Sequence, residues 1–271
     1  MANIQKTTVA RSNHKQIWIG TFWESPGHRP TKSFDYDYTI SYRADATFPN
    51  FHMVFDTAKD IEKIIDNVMH IFIKNGFPSF NMKKENAMMS VWISNCGMSR
   101  TSRLEYVTQL EKLGISIASY GRCHHNTNET NDKNMLKIAS KHLFFYAAEN
   151  DNCAYYHTEK VYHGLLSGSL PIYLGYNNTI DEYVPKNSIV KISDFSNLEK
   201  LANYMKKLSE NKNLYNNYFE WHKRNLKKVG KGLLSKLESA ANFGSDKWKC
   251  DFCKFLHIHG RNEIEKKNIR L

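Results

Sequence analysis

The chain has 271 residues and a mass of 31.6 kDa, with 41% hydrophobic, 24% charged and 13% aromatic residues and a net charge of +11. This composition supports a packed core and excludes a disordered or collagen-like chain. Apolar runs stay shorter than the roughly 18–20 residues of a membrane span, and residues 1–15 lack the apolar segment of a signal peptide, so we expect a soluble chain without an anchor.

Strands and helices alternate along most of the chain. Apolar, β-rich runs predict strands at Gln16–Phe22, Tyr38–Tyr42, Met88–Ile93, Ile115–Ser119, Leu143–Ala148, Pro171–Leu174 and Ser188–Ile192. Apolar residues at helical spacing predict helices at Ile61–Asn75, Ser102–Leu113, Thr158–Leu166, Leu198–Leu208 and Leu214–Lys228. Glycines follow the first three of these helices, as is typical of helix ends.

This βαβαβ order predicts an α/β fold with a mostly parallel sheet covered on both faces. The alternation is clearest from Met88 to Lys228, whereas roughly the first 85 residues resemble an incomplete second α/β unit. Between two of these elements, the polar stretch Arg122–Lys133 is expected to be a loop. We therefore divide the chain into an N-terminal half, 1–86, a ligand-binding domain, 87–235, and a C-terminal helical tail, 236–271.

The net charge is compatible with a nucleic acid, a phosphorylated ligand or a membrane surface. The 38 Lys and Arg residues are scattered among many Asn residues, which favours an effect of genome base composition. A stacking platform or a recognisable nucleic-acid-binding module is not evident, so we expect no nucleic acid partner.

Two polar segments follow predicted strands, where ligands bind to parallel sheets. The first, Ser94–Gly97 with Arg100 and Arg103, enters a helix and combines free N–H groups with fixed positive charge, which suits a diphosphate. It contains neither a dinucleotide-binding nor a P-loop glycine pattern. An ordinary helix N-terminus is the alternative.

The second segment runs from Phe145 to Gly175, and within it Glu159 and Lys160 open a helix. A lysine at this position can neutralise phosphate, while the adjacent glutamate can accept hydrogen bonds from sugar hydroxyls. The alternative is a solvated first helical turn, in which glutamate is favoured by the helix dipole.

Several ordered motifs resemble the α1,3-fucosyltransferases, a family that uses GDP-fucose. The longest is FFYAAENDNCAYYHTEKVYHGLLSGSLPIYLGYNN, and the resemblance extends over Gln16–Leu256. The other matching segments are Gln16–Pro30 with its E-S-P-x-H pattern, Tyr38–Asp45, Ser94–Leu110, Tyr120–Arg122, Tyr215–His222 and Cys250–Cys253.

The resemblance implies a GT-B fold, with two Rossmann-like halves that face a cleft. It also implies inverting transfer of L-fucose from GDP-fucose to a GlcNAc hydroxyl of a glycan or glycoprotein, without a metal cofactor. Basic residues would then supply the charge that other transferases take from Mg²⁺. A D-x-D triad does not follow any predicted strand, which agrees with this expectation.

The family's functional residues match positions of this chain. Glu24 matches the proposed general base, although it could instead cap a turn before Pro26. Arg103 and Lys160 match the cations that contact the GDP phosphates. The remaining donor-binding positions are Asn95, Arg122, Asn150, Tyr156 and Glu159.

The resemblance also has departures. Family members have further strands before the E-S-P-x-H segment, so the N-terminal half is expected to be shortened. Cys250 and Cys253 normally pair with cysteines of that region; together with His257 and His259 they could instead suggest zinc, but four ligands within ten residues are cramped. The chain would then be either an active enzyme or an inactive, truncated GDP-sugar-binding remnant.

The resemblance implies the Golgi lumen or membrane as the location, whereas the missing signal peptide favours a soluble or cytoplasmic chain if it is complete. Glycosylation triplets begin at Asn128 and Asn177, which is compatible with a secretory lumen, but such triplets are common in an Asn-rich chain.

Overall fold

The computed structural model describes residues 16–22, 24–25, 36–43, 46–49, 79–84, 87–97, 99–128, 135–223, 250 and 252–259. The predicted helix Ile61–Asn75 lies outside these residues. In the N-terminal part, three short parallel strands form a sheet of order β1-β2-β3: β1 (Ile19–Phe22), β2 (Tyr38–Ser41) and β3 (Phe48–Pro49). The first two strands lie within the predicted runs.

A second, five-stranded parallel sheet has the order β5-β4-β6-β7-β8. Its strands are β4 (Met89–Val91), β5 (Ile117–Ser119), β6 (Phe144–Ala148), β7 (Leu170–Leu174) and β8 (Val190–Lys191). Every residue of the central strand β6 is buried, as expected for a parallel sheet with helices on both faces. The α/β class predicted from the sequence is confirmed.

Helices connect the strands and close the two faces of the large sheet. They are α1 (Phe80–Lys84), α2 (Arg103–Lys112), α3 (Met135–Ala139), α4 (Glu159–Ser167), α5 (Asn177–Ile180), α6 (Leu198–Glu210) and α7 (Lys212–Asn216). Phe144 and Tyr146 face a core that includes residues of α2 and α6, whereas Phe145 and Ala147 face a core that includes residues of α4. The alternation of side chains along one strand thus supplies both cores.

Two predicted elements are shorter or different in the structure. Strand β8 was predicted at Ser188–Ile192, but the Ser188 hydroxyl donates to Pro185 O at 2.6 Å in a turn, and Ile192 begins a 3₁₀ helix. As far as residue 223, where this described stretch ends, the predicted helix Leu214–Lys228 is instead the short α7 followed by a 3₁₀ helix, Asn217–Lys223. Two consecutive asparagines stand at this change, and asparagine side chains compete with helical hydrogen bonds.

A C-terminal helix covers residues 252–259, and its Phe255 packs edge-on against Tyr38 of β2, with ring centroids 5.1 Å apart. The end of the described chain therefore returns to the N-terminal sheet. None of the described helices combines the length and apolar composition that crossing a membrane requires.

Candidate functional site

The large sheet has a topological switch point between β4 and β6. From β4 the chain moves outward to β5 and then returns to place β6 on the other side of β4. In open parallel sheets the crevice at such a point, outside the carboxyl ends of the strands, is the usual place for a ligand. The loops that begin at Trp92 and Glu149 therefore border the expected binding crevice.

Arg103 bridges this switch point. Its guanidinium donates to Asn95 O in the loop after β4 and to Ala148 O at the end of β6, both at 3.3 Å. The side chain is 5% exposed, and this burial lowers its pKa, an effect that the Glu149 carboxylate partly offsets. Arg103 thus brings fixed positive charge to the position where the first polar segment was predicted to meet a phosphate.

The loop that carries Asn95 is tied to the turn that carries Arg122. A disulfide joins Cys96 to Cys123 across these two connections. Between them, Gly121 lies so close to the Ile93 backbone that a Cβ atom would collide with it, so the turn requires glycine. The side chains of Asn95 and Arg122 are both exposed at this edge of the sheet.

Glu149 is the centre of a buried polar cluster directly after β6. Its carboxylate is 0% exposed and accepts the Thr158 N–H at Oε1 and the Thr158 hydroxyl at Oε2, both at 2.7 Å. The Lys160 ammonium donates to Thr158 Oγ1 at 2.6 Å and lies 3.4 Å from Glu149 Oε2. Glu159, the first residue of α4, accepts from Lys160 at 3.2 Å.

The charges in this cluster stabilise one another. Burial alone would lower the pKa of Lys160, but Glu149 and Glu159 outweigh it and raise that pKa. Burial alone would raise the pKa of Glu159, but Lys160, a backbone hydrogen bond and His163 together outweigh it and lower that pKa. Both groups are therefore charged at neutral pH, and the Lys160 side chain remains 22% exposed.

The same loop also contacts the N-terminal half. The Tyr156 hydroxyl donates to Glu24 Oε2 at 3.1 Å, and the Ser25 hydroxyl donates to Asp151 Oδ2 at 2.7 Å. Burial raises the pKa of Tyr156, and Glu149 and Glu24 add to the effect, so its phenol stays protonated as a donor. The ring of Tyr42, which follows β2, packs edge-on against Tyr156 with centroids 5.1 Å apart.

Two buried polar atoms of the site have no hydrogen-bond partner among the described residues: Arg103 Nε and Asn150 Oδ1. Buried polar atoms are nearly always paired, and each exception needs an explanation. A ligand with an acceptor such as a phosphate oxygen would satisfy Arg103, and a hydroxyl donor would satisfy Asn150. These two atoms fit a ligand that carries both kinds of group.

A groove of about 600 Å³ lies beside the cluster, within the size range of small-molecule pockets. It extends from Ser102, next to Arg103, past Asn152 to Gly175 at the end of β7. Another groove, of about 710 Å³, lies beside β8. Neither described lining includes a predicted site residue. The smaller groove is the better candidate for part of the ligand because it borders Ser102, the neighbour of Arg103, and Gly175, which packs against Glu149.

The described part of the chain contains no group of three or more His, Cys, Asp or Glu side chains placed to hold a metal ion. Cys250 and Cys253 are exposed and not disulfide-bonded. The structure therefore gives no support to zinc binding by these cysteines with His257 and His259.

The structure brings most of the predicted site residues to one edge, but sequence reasoning missed four contributors. Glu149 and Thr158 stand inside the recognised motif, yet only their burial identifies them as its centre. The Cys96–Cys123 pairing was one of several that five cysteines allow. Asp151, likewise inside the motif, was not recognised as a contact to Ser25.

Comparisons with known proteins identify similar chains. The family model described as "Glycosyltransferase family 10 (fucosyltransferase) C-term" matches residues 82–270. The chain is 30% identical over 214 residues to a rat 4-galactosyl-N-acetylglucosaminide 3-alpha-L-fucosyltransferase 9, covering 77% of this chain and 54% of the rat protein. It is 34% identical over 185 residues to a putative fucosyltransferase-like protein of Arabidopsis thaliana, covering 68% and 34% of the two chains.

A solved α1,3-fucosyltransferase with GDP-fucose has a similar fold, with a TM-score of 0.56 and 18% identity, covering 82% of this chain and 74% of that one. This likeness supports the predicted GT-B architecture. The chain spans about half the length of the rat fucosyltransferase that it matches.

Proposed function

Because this chain belongs to glycosyltransferase family 10, the fucosyltransferases, we propose that it transfers L-fucose from GDP-fucose to a GlcNAc hydroxyl of a glycan or glycoprotein in an α1,3 linkage. The observation that carries the proposal is the loop after β6. Between residues 149 and 160 it presents the buried Glu149–Thr158–Lys160 cluster to one side and the Tyr156–Glu24 contact to the other.

The donor would bind at the switch point of the large sheet. Lys160 and Arg103 supply positive charge for the diphosphate, and the Lys160 side chain is 22% exposed. The groove between Ser102 and Gly175 has room for the nucleoside. Because these cations can balance the charge of the leaving GDP, we propose that the reaction requires no metal ion.

The acceptor would approach from the side of Glu24, which is exposed. The acceptor hydroxyl oxygen attacks the anomeric carbon of fucose, its proton passes to the Glu24 carboxylate, and GDP leaves with the electrons of the broken bond. Attack on the face opposite to GDP inverts the anomeric centre. The Tyr156 hydroxyl, which donates to Glu24 Oε2, would orient the carboxylate for this step.

A transfer assay tests the proposal most directly. Radiolabelled GDP-fucose is incubated with the chain and a panel of GlcNAc-containing glycans, once with EDTA and once with Mg²⁺ or Mn²⁺. We expect labelled product in both conditions. Transfer only with the metal would refute the metal-free reaction, and GDP binding without transfer to any acceptor would identify an inactive GDP-sugar-binding protein.

GDP binding can be measured independently of the acceptor. We expect GDP to raise the unfolding temperature in EDTA, because a ligand that binds only the folded state stabilises it by mass action. A shift that requires Mg²⁺ or Mn²⁺ would contradict metal-free donor binding.

The location proposed for the protein, the Golgi, can be tested separately by fractionation of cells that express the natural gene.

A further inference from the structure

We propose that Glu149 and Thr158 are positioning residues, which hold Lys160 and the first turn of α4 in the geometry that the donor diphosphate requires. This inference rests on the proposed use of GDP-fucose. Neither residue would touch the donor, because Glu149 and Thr158 are buried and their polar side-chain atoms are already hydrogen-bonded to each other and to Lys160.

Glu149 is fixed on several sides. Its N–H donates to Leu174 O at 2.8 Å, and its carbonyl accepts the Thr101 hydroxyl at 2.6 Å. A Cβ atom at Gly175 would lie 3.1 Å from Glu149 Cγ, so the backbone of the next loop packs closely against this side chain. The carboxylate therefore has one well-defined position from which it can orient other groups.

Thr158 transmits this position to Lys160. Its hydroxyl can donate only one hydrogen, which the 2.7 Å contact directs to Glu149 Oε2, and it can then accept from Lys160 Nζ at 2.6 Å. A threonine before a helix commonly caps it by accepting a helical N–H. Within the described contacts the Thr158 hydroxyl makes no such cap, so its bonding capacity is directed to Glu149 and Lys160.

The negative charge of Glu149 distinguishes two possible roles, balancing the charge of its cationic neighbours and positioning Lys160. A buried carboxylate beside Lys160 and Arg103 opposes the binding of another anion, because like charges repel in a medium of low dielectric constant. If it merely balanced charge, its neutralisation would tighten GDP binding. If it positions Lys160, its neutralisation weakens GDP binding, and the two roles therefore predict opposite signs.

The test compares two isosteric variants, Glu149→Gln and Thr158→Val, by calorimetric titration with GDP and with guanosine, which lacks the phosphates. We expect each variant to lose about tenfold in GDP affinity, the scale of a hydrogen bond to a charged group, with guanosine affinity unchanged within about twofold. Thr158→Ser keeps the hydroxyl and is expected to retain the wild-type ratio of GDP to guanosine affinity. Glu182→Gln, which removes an exposed carboxylate, is the control for charge.

Circular dichroism and the unfolding temperature verify that each variant is folded. An unchanged or increased GDP-to-guanosine ratio in both isosteric variants would overturn the inference, as would an equal loss for both ligands. If the unaltered chain does not bind GDP, the proposed function itself fails. If instead the wild type binds GDP and the variants bind it equally well, only the inference about Glu149 and Thr158 fails.

Discussion

The loop after β6 has two sides that differ in how their charges are held. On the side of the large sheet, Glu149 is fully buried and its partners, Thr158 and Lys160, belong to the same half of the molecule. On the other side, Glu24 is exposed and receives its hydrogen bond from Tyr156, 132 residues away along the chain. The proposed donor site thus lies within one half, whereas the proposed base depends on contact between two halves.

Glu24→Gln is expected to separate the two sides most strongly. Glutamine keeps the shape and can still accept from Tyr156, but it cannot take a proton. Turnover should fall on the order of 10²–10⁴-fold, the usual contribution of a general base, while the GDP dissociation constant stays constant. Steady-state kinetics and calorimetry measure the two quantities, and Glu182→Gln is the matched control. Equal activity of Glu24→Gln and wild type would place the base elsewhere.

Lys160→Ala tests the donor side. Loss of a charged hydrogen-bonding partner should weaken GDP binding by about 1–3 kcal/mol, or roughly fivefold to 150-fold. Lys212→Ala, which removes an exposed lysine from α7, is the control and should bind GDP as wild type does. If the two variants have the same dissociation constant by calorimetry, Lys160 is only part of a solvated first turn.

Lys83 sharpens the comparison because it is a buried lysine whose hydrogen-bond acceptors among the described residues are backbone carbonyls and a serine hydroxyl. It is 2% exposed and donates to Ser140 O and Gly168 O, both at 2.8 Å. Burial lowers the pKa of Lys83 to about 7, whereas carboxylates raise that of Lys160. Between pH 7 and the ordinary lysine pKa of 10.5, the unfolded chain holds a proton at this position that the folded chain has released.

The free energy of unfolding should therefore rise with pH above 7, by up to about 1.4 kcal/mol per pH unit from this group. Urea unfolding at pH 7, 8 and 9 measures the slope, and Lys83→Met should reduce it. The difference between the two slopes isolates Lys83 from other titrating groups. Identical slopes would show that Lys83 remains charged in the folded protein.

Tyr156→Phe should have the smallest effect. The ring can still pack against Tyr42, but the donor to Glu24 Oε2 is lost. We expect turnover to fall about fivefold, equivalent to the net value of one hydrogen bond, without a change in GDP affinity. Tyr218→Phe, which removes a hydroxyl bonded to Tyr204, is the control. A loss of GDP affinity instead would support the role of Tyr156 as a donor contact.

Local sequence patterns predicted most elements of the large sheet. The apolar run around Phe144–Ala148 and the helix that ends before Gly168 are both present, and Gly168 has a φ of 68°. The prediction of a continuous helix from Leu214 was wrong. The apolar periodicity continues past Asn216 and Asn217, but the α-helix ends there and a 3₁₀ helix begins. Short elements such as α3 carry too few residues for a periodic signal.

For the site, the Glu159–Lys160 pair could be predicted because both residues open one helix after a recognisable strand. Glu149 could not be recognised as the centre, because a glutamate in a polar loop is ordinarily solvated. Its burial depends on the end of β7 and on Gly175, which approach it only after the sheet has formed. The catalytic role of Glu24 stays a prediction, as do the roles in donor binding of the other predicted site residues: Asn95, Arg103, Arg122, Asn150, Tyr156, Glu159 and Lys160.

The sequence by itself determined the α/β class, the order of the main strands and helices, and the segment that carries the candidate site. These properties follow from hydrophobic periodicity and turn residues over short distances along the chain. Only the tertiary structure decided that Glu24 meets Tyr156, that Cys96 pairs with Cys123, and that Arg103 spans β4 and β6. Such contacts depend on the order of strands in the sheet and on the meeting of its loops, which the pattern within a single element does not specify.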